Sequence, residues 1–245
     1  MSGHSKWNNI KRKKEKTDGQ RAKIFTKMGR EISVSVREGG PDPSINGKLR
    51  DIIAKAKASN VPSENIDRLI KKASGGDKTD YEEIMYEGYG PGGVAVIVET
   101  LTDNRNRTAA DIRHYFDKFG GNLGTTGCVS FMFSQKGVIA IDMEEQNEDK
   151  VMEDCIEAGA DDVGFADGIA EIYTDSTGLR DVREALEKAG YSFLNAEIEF
   201  VPDNYTRLEG EEQLKKMSIL LEHLEDNDDV QNVWHNLENE DDLPE

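Results

Sequence analysis

The chain has 245 residues, of which 33% are charged and 36% hydrophobic, and its mean hydropathy is -0.68. Charged residues usually make up about a quarter of a globular protein, so this composition favours several small units over one deep core. No apolar run approaches the ~18 residues of a membrane span, and no apolar stretch follows the basic start, so the sequence predicts neither a membrane helix nor a secretory signal. Two cysteines, Cys128 and Cys155, do not make a disulfide framework, and we expect a reducing cytosol.

The net charge of -18 is divided unevenly along the chain. Residues 1–78 carry 19 Lys and Arg against 9 Asp and Glu, a net of +10. The remaining residues carry 12 basic against 40 acidic side chains, a net of -28. A uniformly acidic protein would show no such division. Opposite signs in two regions indicate a part that binds polyanions, joined to a part that repels them.

Three helices are predicted in the first third, each with one apolar stripe. The first begins at Thr17 or Asp18 and ends at residues 39–40, where two glycines follow each other. The second follows Pro43, and Pro62 lies in the first turn of the third. Three short helices of this kind form a small bundle.

From residue 81 onward the pattern alternates between strands and helices. Strands are predicted at 94–100, 128–133, 137–142, 168–173, 193–200 and 230–234, with 161–165 as an extra candidate, and helices at 108–119, 148–158, 177–189 and 213–225. The segment 137–200 resembles a split βαβ, ferredoxin-like unit. We therefore expect an α+β fold, in which an N-terminal three-helix bundle (1–77) precedes two ferredoxin-like α/β domains, one (135–202) inserted in the other (81–134 plus 203–245).

Basic residues are most concentrated in the N-terminal arm and the first helix. Residues 1–30 contain ten Lys and Arg and two acidic residues. Helical spacing places four cations on one face, opposite the apolar stripe, so we predict that this face is turned to solvent. A solvated face without a ligand is the alternative. The predicted nucleic-acid-binding residues of this region are Lys6, Trp7, Lys11, Arg12, Lys13, Lys14, Lys16, Arg21, Lys23, Lys27 and Arg30, with Trp7 stacking on a base or fastening the arm to the rest of the chain.

The segment 102–108, Thr-Asp-Asn-Arg-Asn-Arg-Thr, connects a predicted buried strand to a helix that Asp103 or Asn104 caps. Arg105 and Arg107 are therefore held by rigid elements, and they are also predicted to bind nucleic acid by gripping phosphate. The alternative is that they form internal ion pairs with the acidic part of the chain. Both interpretations remain open from the sequence.

No catalytic or metal-binding pattern is visible. Glycines 88, 90 and 93 form a GxGxxG, but a strand follows where the dinucleotide fingerprint requires a helix, so we predict a tight connection between strands. The four histidines share no metal-ligand spacing, and neither cysteine lies in a CxxC. The sequence predicts a protein that is not an enzyme, with no catalytic residues, no metal, no cofactor and no small-molecule substrate.

Four motifs are distinctive: Gly3-His4-Ser5-Lys6-Trp7, Asn60-Val61-Pro62, Tyr86-Glu87-Gly88-Tyr89-Gly90-Pro91-Gly92-Gly93 and, most specific of all, the run from Glu99 to Thr108. Together they resemble the YebC family. The resemblance covers essentially the whole chain and is strongest in the first 130 residues. It implies a three-domain fold, no catalytic activity and no cofactor. It also implies a cytosolic regulator of gene expression, either a DNA-binding regulator of transcription or a ribosome-bound factor that assists synthesis of proline-rich stretches.

Two hypotheses about the target follow. In one, the basic arm lies along ribosomal or transfer RNA, and the acidic body meets basic ribosomal proteins or stays clear of RNA. In the other, the basic arm and first helix bind duplex DNA at promoters. The basic residues of the arm and first helix are mostly lysines, seven of the ten in residues 1–30, and lysine suits phosphate contact better than base reading. A third hypothesis is an acidic protein-interaction scaffold that binds no nucleic acid.

Overall fold

A computed structural model describes residues 18–59, 61–75, 79–144, 146–166 and 168–244, except the side chains of 18–22 and 58. These residues form seven α-helices and eight β-strands. The helices of the first third precede two four-stranded antiparallel sheets. The α+β fold class expected from the sequence is confirmed. None of the described helices is both long enough and apolar enough to cross a membrane.

The first three helices form a bundle with its own apolar core. They are α1 (Asp18–Gly39), α2 (Gly47–Ala58) and α3 (Ser63–Ser74). The core combines Met28 and Ile32 of α1 with Leu49 and Ile52 of α2 and Ile66 of α3. These residues recur at spacings of three and four, which is why the sequence predicts the helices well. We call this unit the bundle and residues 79–244 the body.

The outer unit of the body contains one sheet with the strand order β3-β1-β2-β8. Its elements are β1 (Glu82–Tyr89), β2 (Ala95–Thr102), α4 (Arg105–Lys118), β3 (Asn122–Leu123), α7 (Glu211–Asp226) and β8 (Val230–His235). Helices α4 and α7 pack on one face of the sheet, where Phe116 and Leu220 are completely buried. Strand β2 is buried on both faces, as its run of β-branched residues predicts.

The inserted unit interrupts the outer unit between β3 and α7. Its elements follow in the order β4 (Phe133–Asp142), α5 (Glu148–Ala158), β5 (Asp162–Ala166), β6 (Ile169–Asp175), α6 (Leu179–Lys188) and β7 (Phe193–Pro202). The sheet order is β5-β6-β4-β7, so the chain runs βαββαβ through an antiparallel sheet as in ferredoxin-like folds. The candidate strand at 161–165 is present as β5.

Two details of the predicted elements need correction. Residues 128–133 are not a strand, because Ser130–Met132 form a 3₁₀ turn and β4 begins only at Phe133. Strand β1 was not predicted, and the connection from β1 to β2 explains the GxGxxG motif. A 3₁₀ turn at Pro91–Gly93 joins the two strands, as predicted for a tight connection. Gly92 has a φ of 65°, and a Cβ there would lie 2.3 Å from the Leu208 side chain.

Candidate nucleic-acid interface

The structure describes only part of the predicted nucleic-acid-binding set. Arg21 lies in α1, and its side chain is outside the described part of the chain. Five other side chains are described, Lys23, Lys27, Arg30, Arg105 and Arg107. The predicted residues of the N-terminal arm lie outside the described residues: Lys6, Trp7, Lys11, Arg12, Lys13, Lys14 and Lys16.

The basic face of α1, made of Lys23, Lys27, Arg30 and Arg37, is turned toward the body. Lys23 Nζ lies 2.7 Å from the carboxylate of Asp226, and Lys27 Nζ donates to a main-chain carbonyl in the last turn of α7 at 2.8 Å. A helix C-terminus attracts cations because its last carbonyl groups point outward without helical partners. The prediction that this face is turned to solvent is therefore wrong: its members do share one face, but that face meets acidic groups of the body.

Asp229 is the centre of this contact. Its buried carboxylate accepts hydrogen bonds from Arg30, from Arg107 Nη2 at 2.8 and 3.1 Å, and from the hydroxyl of Thr108 at 2.7 Å. Thr102 Oγ1 lies 3.2 Å from the same carboxylate. Burial alone would raise the pKa of Asp229, but hydrogen bonds from Arg107, Arg30 and Thr108 outweigh burial and lower the pKa to about 2. We call these five residues the Asp229 cluster.

Arg30 links the two parts of the chain by more than one contact. It donates to the main-chain carbonyl of Leu101 at 2.9 Å, and its guanidinium lies 5.5 Å from the ring centroid of Tyr81. Arg37, two turns further along α1, contacts the carboxylate of Asp80. Lys23, Lys27, Arg30 and Arg37 thus each have at least one oxygen partner in the body.

The two arginines of the 102–108 segment have different environments. Arg107 belongs to the Asp229 cluster and also pairs with Asp103 at 2.9 Å, as the internal ion-pair alternative describes. Arg105 keeps 67% of its side chain exposed, with Glu82 as an acidic neighbour at 3.5 Å. Asn104 caps α4 by accepting a hydrogen bond from the Arg107 backbone N–H at 3.1 Å.

A second group of ion pairs joins α2 to the inserted unit. The Lys55 ammonium lies 3.1 Å from Glu31 and 3.0 Å from Glu197. Burial lowers the pKa of Lys55, but the negative charges of Glu197 and Glu31 raise it by more. The net shift of the pKa is upward, so the lysine stays charged. Asp51 likewise pairs with Arg183 at 2.8 Å and Arg180 at 3.2 Å.

No apolar cluster of the described residues combines side chains of the bundle with side chains of the body. Instead, a cleft of about 580 Å³ opens between α1 and α2 on one side and both sheets on the other. Val34 and Ile52 line the bundle side of this cleft, and Leu101, Gln231 and Trp234 line the body side. The side-chain amide of Gln231 is buried there without a hydrogen-bond partner among the described residues.

A further basic group lies in the C-terminal half of α3 and was not predicted from the sequence. Arg68, Lys71 and Lys72 are exposed and lie on one side of the helix, because they are spaced by three and four residues. The Arg68 guanidinium lies 5.7 Å from the ring centroid of Phe25, so this group lies next to α1. The three residues contribute to the positive charge of residues 1–78, but nothing in the local sequence separates them from a solvated helix face.

A glycine-rich loop, residues 120–130, follows α4, and three of its backbone N–H groups bind a carboxylate of β1. The carboxylate of Glu87 accepts hydrogen bonds from the N–H groups of Gly127, Val129 and Ser130 at 2.7 to 2.9 Å. Burial raises the pKa of Glu87, but these hydrogen bonds lower it by more. The loop therefore holds an internal carboxylate, and these donors are not available to a phosphate.

The fold and this interface define a class of protein: a small basic helical bundle fastened by ion pairs to a larger acidic α+β body. Among the described residues, no group of three or more His, Cys, Asp and Glu could hold a metal ion. The chain belongs to the TACO1/YebC family. Residues 5–76 match the model described as TACO1/YebC protein N-terminal domain, and residues 81–237 match TACO1/YebC second and third domain. The resemblance noted in the sequence is confirmed.

Relatives cover almost the full length of the chain. A protein of Acetivibrio thermocellus is 60% identical over 238 residues, which are 96% of this chain and 98% of the relative. A protein of Finegoldia magna is 56% identical over 241 residues, or 98% and 100%. Both are named probable transcriptional regulatory proteins. The crystal structure of Aq1575, a conserved hypothetical protein of Aquifex aeolicus, is 47% identical and covers 91% of this chain and 92% of its own, with a TM-score of 0.83.

Proposed function

We propose that this protein is a non-enzymatic, cytoplasmic regulator of gene expression that binds RNA at the ribosome through its N-terminal arm and bundle. The observation that carries the proposal is the separation of charge, +10 in residues 1–78 and -28 in the rest. A basic arm that neutralises phosphates needs no base-specific contact, and an acidic body limits how much of the protein lies along the polyanion. The family resemblance adds the specific task of assisting synthesis of proline-rich stretches.

The basic residues of the arm, of α3 and of the outer unit suit phosphate contact. The arm supplies six Lys and Arg before residue 17, and the α3 group of Arg68, Lys71 and Lys72 supplies three more on the neighbouring helix. Arg105 is an exposed arginine on the outer unit of the body. We infer that these cations, most of them lysines, bind phosphate through their charge, with no cofactor, no small-molecule substrate and no membrane contact.

A DNA-binding regulator of transcription is the second candidate, and the names of the relatives from Acetivibrio thermocellus and Finegoldia magna favour it. Such a protein reads base edges with Arg, Asn or Gln on a helix in the major groove. Seven of the ten basic residues in positions 1–30 are lysines, which suit phosphate contact better than base reading. We therefore place RNA first and promoter DNA second.

The test is sedimentation of cell lysate through sucrose gradients at low and high salt, followed by detection of this protein. We expect comigration with ribosomes at low salt and release at high salt, because phosphate contacts weaken as salt rises. Reversal of three arm charges, Lys11→Glu, Lys13→Glu and Lys14→Glu, should abolish comigration. The matched control reverses three exposed lysines of the body, Lys118→Glu, Lys188→Glu and Lys215→Glu. Ribosome association that survives the arm reversal would contradict the proposal, and sequence-specific occupancy of DNA would favour the second candidate.

A further inference from the structure

We propose that the acidic body masks part of the protein's own nucleic-acid-binding surface, and that RNA displaces the body from the basic face of α1. This inference rests on the proposed function and adds its regulation. In the conformation described here the four cations of the face contact the body. In the RNA-bound conformation the same donors contact phosphates, and α1 has moved away from the body.

The body offers the basic face the same chemistry as a phosphate backbone. Its oxygen partners for the face include the carboxylates of Asp80, Asp226 and Asp229 and the main-chain carbonyls of Leu101 and Glu225. Lys23 and Arg37 are 14 residues apart, so on an α-helix the face extends about 20 Å. Phosphate and carboxylate compete for the same Lys and Arg donors, because both supply charged oxygen acceptors.

The contact between the bundle and the body has the composition of a reversible interface. It shares no apolar cluster among the described residues, and two of its ion pairs are exposed to water. Exposed pairs contribute only about 0.2–1 kcal/mol each and weaken as salt is added.

The Asp229 cluster allows Arg30 to leave without isolating a buried charge. When Arg30 withdraws, Asp229 retains the guanidinium of Arg107 and the hydroxyl of Thr108. Removal of the last partner of a buried ion is the costly event, and the cluster avoids it. Arg107 and Asp229 both belong to the body, so their pair persists in either position of the bundle.

The experiment compares two double variants with the same change of net charge. Asp80→Asn with Asp226→Asn removes two exposed carboxylates that contact the basic face, whereas Glu157→Gln with Glu187→Gln removes two exposed carboxylates of the inserted unit. Binding to a fluorescein-labelled oligouridylate of about twenty nucleotides is followed by fluorescence anisotropy with the full-length protein. We expect the first variant to bind about fivefold more tightly than wild type. The second should change affinity by less than about twofold, through long-range charge alone.

Hydrogen exchange supplies a second measurement. Added RNA should accelerate exchange of backbone amides in residues 225–230, because this acidic segment loses its contacts with α1, whereas RNA that simply covered the surface would slow exchange or leave it unchanged. Equal affinity gains in the two double variants, or no acceleration at 225–230, would overturn the masking while leaving RNA binding intact. Absence of binding by wild type and both variants at low salt would overturn the proposed function together with it.

Discussion

The contact between the two sheets of the body and the contact between the bundle and the body differ in chemistry. Where the sheets meet, Ala95, Ile97 and Trp234 of the outer unit pack against Phe133 and Phe200 of the inserted unit. The rings of Phe200 and Trp234 meet edge to face, with their centroids 4.9 Å apart. Where the bundle meets the body, the described contacts are ion pairs, hydrogen bonds and a cation–π contact.

This difference indicates which of the two contacts is permanent. We call the contact between the sheets the apolar junction and the contact between the bundle and the body the polar junction. Burial of apolar surface stabilises by about 25 cal/mol for each Å², with little dependence on moderate salt, and separating such a junction exposes that surface to water. Charged groups regain hydration when they separate, so a junction made of ion pairs opens at a lower cost and responds to salt and to competing ions. We therefore expect the contact between the sheets to persist when a polyanion displaces α1 from the body.

The largest effect is expected at the apolar junction. Trp234→Ala should lower the free energy of unfolding of the body by about 4 kcal/mol, because it leaves a cavity beside Phe200 that the packed sheets fill only in part. Equilibrium urea unfolding measures the loss, which should be the same at low and high salt. Phe131→Ala is the control, since Phe131 is 74% exposed and its loss should change stability by less than about 0.5 kcal/mol. Similar losses in both variants would contradict the assignment of this junction.

Asp229→Asn tests the polar junction. We expect a loss of about 3 kcal/mol at pH 7, because the substitution removes the charge that compensates Arg30 and Arg107 in a buried setting. Asp228→Asn, one residue earlier and exposed, is the matched control and should be nearly neutral.

The same variant makes a pH prediction with a definite sign. The pKa of Asp229 falls from 3.8 to about 2 on folding, so its ionised form stabilises the protein above about pH 4. That contribution of about 2 kcal/mol is lost as the pH falls toward 2. The difference in unfolding free energy between wild type and Asp229→Asn should therefore shrink over this interval. A difference that stays constant from pH 5 to pH 2 would show that the charge of Asp229 is not what stabilises the cluster.

Glu171 provides the opposite case inside the body. Burial raises the pKa of its carboxyl to about 7, with a hydrogen bond from Tyr173 working against the shift and Glu199 adding to it. The protonated form is therefore favoured by folding, and its stabilisation, present below about pH 4.5, is lost as the pH rises toward 7. Glu171→Gln should raise the unfolding free energy by about 2–3 kcal/mol at pH 8 and leave it nearly unchanged at pH 4. Glu187→Gln is the control, because Glu187 is exposed. Equal effects of Glu171→Gln at both pH values would argue against a buried, protonated Glu171.

Most of the fold could be predicted from the sequence because most helices and strands carry a local periodic pattern. Helix α5 has the bounds that its pattern predicts, residues 148–158. Strand β1 escaped prediction because Glu82, Glu83 and Glu87 interrupt any apolar run, and the strand buries only its C-terminal half. Hydrogen bonding to β2 and β3, rather than its own composition, makes it a strand.

The site was predicted only in part, for a different physical reason. Helical spacing correctly groups Lys23, Lys27, Arg30 and Arg37 on one face, but periodicity does not state what a face contacts. What this face contacts depends on Asp229, which lies 199 residues from Arg30 and 122 from Arg107 along the chain. With 49 acidic residues in the sequence, no local signal distinguishes the one that becomes buried between two arginines.

Arg105 and Arg107 offer the smallest and most specific test, because they lie two residues apart at the edge of the polar junction. Arg105→Gln should change stability by less than about 0.5 kcal/mol, since its side chain is mostly exposed, whereas Arg107→Gln should cost about 1–3 kcal/mol through the buried acceptor of Asp229. If Arg105 contacts phosphate, its loss should reduce the salt dependence of RNA binding by about one counterion. Anisotropy titrations at several salt concentrations measure that slope, and urea unfolding measures stability. A destabilised Arg105→Gln with an unchanged salt slope would place Arg105 in the internal ion-pair network instead, and the RNA surface would then be confined to the bundle and its arm.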